Sequence, residues 1–178
     1  MRWTNLYPNQ EDSLMANNVL LEQHKFTRLR LLALLDTLEK SGHGEEALYW
    51  KLPFGEKGRA HIAWQVLHCA ATLEKYFHIR LDNSEVVNKE LVEHFGSGSV
   101  PDTNLKHDFS TIRNLLNSST EKFYSYFNKL SPDQFDSKPF PDSEKTNNEI
   151  LILLNWHEAE HTGQCQITWN SFKASKGI

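Results

Sequence analysis

Four long stretches of this chain repeat their apolar residues at helical spacing, and no stretch alternates apolar and polar residues as a half-buried strand would. That regularity removes sheets and leaves helices packed on helices. The first run holds Leu14, Val19, Leu21, Leu29, Leu32, Leu35 and Leu38, with Asp12 or Ser13 as its cap and Gly42 and Gly44 at its end. The second extends from about Arg59 to Leu81, with Ile62, Val66, Ala70, Leu73 and Phe77 on one stripe and Trp64, Leu67 and Ala71 on another, so it should lie between neighbours. A third runs from Thr103 to Leu130 and a fourth from about Thr146 to Lys173. Residues 1 to about 12 read as a tail or strap in which Trp3, Leu6 and Tyr7 are free to dock. Trp50 to Gly58, with Pro53 and Gly55, reads as a connection. Ser84 to Phe95 predicts a short extra helix between the second and third runs, ended by Gly96, Ser97, Gly98 and Ser99, and Ser131 with Pro132 opens a further helical turn. The expected fold is all-α, a four-helix bundle in one domain spanning 1–178.

The 178 residues are 39% hydrophobic, enough to bury a single core. Twenty-three acidic residues against 19 basic ones give a charge of −4, and no basic run is present to neutralise a row of phosphates. Nucleic acid and membranes are therefore excluded as expected partners, and no apolar run approaches the ~18 residues of a membrane span. The opening string MRWTNLYPNQEDS lacks the basic and apolar regions of a secretory signal, so a cytoplasmic location is expected. Two cysteines, Cys69 and Cys165, without CxxC spacing, predict small buried apolar side chains rather than a disulfide framework.

The fourth run contains His157, Glu158, Ala159, Glu160 and His161, an HExxH string. On a helix the two imidazoles share a face with Ile150, Leu154, Cys165 and Thr168, so they point inward. Each buried imidazole left without a partner costs roughly 1–3 kcal/mol. A divalent metal would satisfy both, whereas single hydrogen bonds to core groups would satisfy them one at a time.

HExxH is also the string of zincin metalloproteases, whose third ligand usually lies downstream. The residues that follow His161, TGQCQITWNSFKASKGI, contain no Asp, Glu or His, which argues against that class. Glu158 and Glu160 then read as a solvated or interhelical pair, and the third ligand must come from another helix. His68 leads, but periodicity alone does not separate it from a surface position.

The segments HIAWQVLHCAATLEKYF and NWHEAEHTGQCQI, covering Trp64, His68, His157, His161, Gly163 and Gln164, resemble the signature segments of the DinB-like superfamily of metalloenzymes. The resemblance extends over nearly the whole chain in element order. It implies an up-down-down-up bundle, a metal site formed by His68, His157 and His161 with open positions, zinc or nickel as the metal, and frequent pairing as a homodimer. Many relatives place a histidine one residue later, where this chain has Cys69, so Cys69 and His61 stand as alternatives and Cys165 as a fourth ligand.

The resemblance also implies chemistry on a small molecule, transfer involving a low-molecular-weight thiol, and metal-dependent hydrolysis is physically open to such a site as well. In this reading Trp64 and Trp156 wall the pocket and Gln164 supports a ligand histidine. The rival reading is a non-catalytic bundle that carries metal or serves stress-related binding. A role in DNA processing conflicts with the acidic charge balance.

Overall fold

A computed structural model describes residues 10–53 and 59–178, and within them every regular element is helical. The order is α1 (Gln10–Lys40), α2 (Gly44–Tyr49), α3 (Ile62–Tyr76), α4 (Lys89–Phe95), α5 (Phe109–Phe127) and α6 (Asn147–Lys176), with a π-helical turn at Phe77–Leu81 and a 3-10 turn at Pro132–Gln134. No helix among the described residues is long and apolar enough to cross a membrane. Most of the expected tail lies outside the described residues, while residues 10–12 are already helical, so Asp12 and Ser13 sit inside α1 rather than capping it.

Local chemistry sets the helix ends. Thr146 Oγ1 accepts from the Glu149 amide, and the Glu149 carboxylate accepts from the Thr146 amide, a reciprocal box that starts α6. Gly177, at φ 72°, closes it in the left-handed conformation. Asp108 caps α5 through the Thr111 amide at 2.7 Å, so the third run begins at Phe109 and not at Thr103. Asn88 likewise delays α4 to Lys89. The second run starts at Ile62, where His61 Nδ1 accepts from the Trp64 amide. At its far end the α-helix widens: Asp82 N–H donates to Phe77 O at 2.9 Å, a bond that spans five residues. Ser131 and Pro132 open their short turn as expected, whereas α2 begins at Gly44, where the sequence pattern shows only an ending.

Helix α3 packs against α4, α5 and α6, and α1 against α6 and α2. Two apolar clusters form. One gathers Leu31, Leu35, Ile62, Leu67, Ile112, Leu116 and Phe172. The other gathers Leu21, Leu73, Phe123, Phe127, Ile150 and Leu154. Between them runs a waist of buried polar side chains: His24 and Arg28 on α1, Ser119 and Thr120 on α5, and Asn155 and Glu158 on α6.

The buried imidazoles outside this chain's HExxH string have a direct consequence for acid stability. Burial, reinforced by the Arg28 charge, lowers His24 to about 3, and burial with Lys51 nearby lowers His61 to about 4. In the unfolded chain both titrate near 6.5. Between those values the unfolded state binds more protons, so folding stability is full above about pH 6.5 and falls as pH drops towards 4 and then 3. The slope approaches roughly 1 kcal/mol per pH unit for each histidine. Chemical denaturation of metal-free protein at pH 7, 6, 5 and 4.5 should show this loss. His24→Phe and His61→Asn should both flatten it, and unchanged slopes would show that neither imidazole is responsible.

Candidate metal centre

His68 lies in the middle of α3, and His157 and His161 lie on consecutive turns of α6. The structure brings them together across 89 residues of sequence: His68 Nε2 and His157 Nε2 are 3.0 Å apart. Ring centroids are 4.9 Å apart for His68 and His157, 4.8 Å for His68 and His161, and 4.6 Å for His157 and His161. One nitrogen from each ring falls within 4.8 Å of the other two. Among the described residues this is the one group of three or more metal-ligating side chains.

Periodicity places His68 away from the main apolar stripe of its helix, yet it is only 8% exposed. The reason is α4, which packs across that side of α3. Its last residue, Phe95, turns its carbonyl towards the ring, and His68 Nδ1–H donates to that oxygen at 2.6 Å. This fixes the proton on Nδ1 and directs the Nε2 lone pair towards His157. Gly96 follows at once, and a Cβ there would lie 2.3 Å from the Val92 carbonyl oxygen, so the chain leaves α4 more tightly than any larger residue allows. Trp64, one turn before His68, stacks on it at 4.7 Å with 8° between planes, and its Nε1–H donates to Ser99 Oγ.

Electrostatics keep the cluster neutral. Burial, with the two neighbouring imidazoles, lowers His157 to about 3; burial and His68 lower His161 to about 4; and His68 itself is lowered, chiefly by burial. Neutral imidazoles are the ligating form. His161 Nδ1 is buried without a hydrogen-bond partner among the described residues. Two metal–nitrogen bonds of about 2.1 Å set donor atoms roughly 3 Å apart, as His68 and His157 are. The donor set therefore fits a borderline cation that accepts nitrogen, and does not fit magnesium or calcium, which take oxygen.

All three histidines line a cavity of about 490 Å³, together with Ala71, Lys75, Arg80, Leu154, Trp156 and Glu160. Trp156 walls it as expected, whereas Trp64 does not reach it and instead backs His68. Gln164 departs from expectation: its Nε2–H donates to Glu160 at 3.1 Å, and the support for a ligand histidine comes from the Phe95 carbonyl.

The other candidates fall away from the cluster. His61 is the cap of α3. Cys69 and Cys165 are free and buried, and burial pushes both thiols up, which disfavours the ligating thiolate. Glu158 is not a solvated group: it is 1% exposed and receives Arg28 from α1 through two contacts, Nε to Oε1 at 2.6 Å and Nη2 to Oε2 at 2.8 Å. Burial raises its carboxyl against the opposing pull of Arg28 and the Cys69 thiol. It is the interhelical half of the expectation that holds. Glu160 is exposed, at the rim of the cavity.

A sequence profile described as the DinB superfamily matches residues 23–165, which contain all three histidines. No curated protein gives a significant match to the chain.

Proposed function

We propose, since the chain belongs to the DinB superfamily, that His68, His157 and His161 hold one divalent metal ion, zinc or nickel, and that the protein is a metal-dependent enzyme acting on a small molecule. The observation that carries this reading is the joint placement of three neutral imidazoles at one end of a cavity large enough for a substrate. A three-histidine site leaves positions open for exchange, the pattern of a catalytic rather than a structural centre.

The element pairings support an up-down-down-up bundle in one domain. Helix α1 runs beside α6 in the same sense, with Leu20 next to Asn155 and His43 next to Phe172. Helix α3 runs against α6, with His68 next to His157 and Arg80 next to Glu144. Exposed Phe26 and Leu29 on α1, and Ile152 and Trp156 on α6, leave apolar outer faces that favour pairing of two copies.

Thiol transfer is the reaction we favour, with a low-molecular-weight thiol as co-substrate. When bound, the ion lowers the pKa of a thiol or water in its open position. The chain's own residues do the rest. The Phe95 carbonyl holds His68 in one tautomer, the Trp64 ring backs it, and Leu154 and Trp156 give the cavity apolar walls. Among the described residues Glu160 is the one carboxylate lining the cavity, and it can take up the proton that the thiol releases.

Zinc and nickel titration by calorimetry, followed by conjugation of glutathione or cysteine to a chlorodinitrobenzene electrophile, tests this. Stoichiometric metal binding with metal-dependent conjugation supports the enzyme. Binding without turnover of any thiol or ester favours a metal-carrying bundle, and no binding ends the reading altogether.

A further inference from the structure

We infer that the cavity beside the three histidines takes a small molecule with an apolar body and an anionic group, and that Lys75 and Arg80 hold the anion; this rests on reading the cavity as the substrate site. The cavity is zoned along its length. The imidazoles line it beside apolar walls from Ala71, Ile79, Leu153, Leu154 and Trp156, and Lys75 and Arg80 line it about two to three helical turns beyond His68.

The zoning follows from helix geometry. Thr72 comes four residues after His68, Lys75 and Tyr76 three and four after Thr72, and Ile79 four and three after those, so they share a face of α3 and its continuation. Arg80, four residues beyond Tyr76, comes at the edge of the same face. The helix widens into a π turn at Phe77–Leu81, and within that turn Arg80 lines the cavity. Seven residues separate Lys75 from His68, about 10 Å along the axis. An anion held there leaves the rest of the molecule lying over the apolar walls, with its far end at the histidines.

The charges are available for this. Lys75 is exposed and has no ion-pair partner among the described residues. Arg80 meets Glu144 at 3.2 Å, but both are well exposed, and such a pair contributes little and exchanges readily. Glu160, the one carboxylate in the lining among the described residues, lies on the α6 wall and accepts from Gln164. Water-facing cations with one face against apolar walls bind a carboxylate or phosphate more tightly than bulk solvent alone permits, because the walls lower the local dielectric.

The test uses two probes of nearly equal shape, 4-phenylbutyrate and 4-phenylbutyramide, titrated into full-length protein with and without zinc and followed by calorimetry at low salt. The carboxylate is expected to bind about tenfold more tightly than the amide in both forms. In the Lys75→Gln/Arg80→Gln protein that preference should fall to within about twofold, with zinc affinity unchanged. Equal binding of the two probes, or binding of neither, overturns the inference. A preference that appears only with zinc and survives in the double variant also overturns it: the anion then sits at the histidines, the metal reading stands, and Lys75 and Arg80 have no part. Zinc titration without any probe reads the metal site separately, so its failure is not confused with failure of the anion site.

Discussion

His157→Ala is expected to weaken zinc binding by on the order of a hundredfold or more while the helical content of the protein stays intact. Loss of a group that merely orients a ligand already costs about 10–100-fold in other metal sites, and His157 supplies a donor atom itself. Its Nε2 is 3.0 Å from that of His68, so without it the remaining rings offer two donors from two different helices. The ring lies partly exposed at the cavity, so alanine leaves no sealed apolar void and the fold should survive. Competition titration against a chromophoric chelator measures the loss, and circular dichroism confirms the helices. The same affinity in the wild type and the variant would mean that zinc sits elsewhere. His61→Ala provides the contrast, because that imidazole caps α3 and should leave zinc binding unchanged.

Glu158→Ala should lower the free energy of unfolding by about 3–5 kcal/mol. It removes the partner of Arg28, whose guanidinium is 3% exposed and lies in the waist between two apolar clusters, so a charge is left buried and unpaired. Arg28→Ala should cost a similar amount by stranding the carboxylate. The Arg28→Met/Glu158→Leu protein, in which both charges go, should recover most of the loss, because a buried pair is often no more stabilising than apolar groups of the same volume. Urea denaturation of the four proteins measures the coupling. Additive losses in the double variant, or single losses under about 1 kcal/mol, would show that the contact is not holding α1 to α6. Retention of the metal site in Arg28→Met/Glu158→Leu is a further expectation, since Glu158 faces α1 and the histidines face α3.

How much of this was readable beforehand differs by residue. The i, i+4 spacing of His157 and His161 is a local property of one helix, and it correctly placed both on the inward side of α6. His68 is not readable in the same way: its own helix period points it off the apolar stripe, and it is α4 and the α6 histidines, elements distant in sequence, that make that side an interior. The family resemblance supplied what periodicity did not. Glu158 pairs with a residue 130 positions away, a relation no local pattern carries, so the sequence alone does not choose between a solvated and an interhelical carboxylate. Helix α2 is six residues long, too short for any apolar period to repeat. The widened turn at Phe77–Leu81, which carries Arg80, leaves no mark in composition.

The bond that orients His68 is made by main chain. Every amino acid at position 95 would bring the same carbonyl, so substitutions along α4 that keep a large apolar side chain there can accumulate without disturbing the imidazole. A deletion or insertion between Asn88 and Gly96 is another matter, because it shifts which peptide unit reaches the ring. The site is thus tolerant of changed letters and intolerant of changed length, and the spacing of this short helix, more than its wording, is what descendants of the chain must preserve.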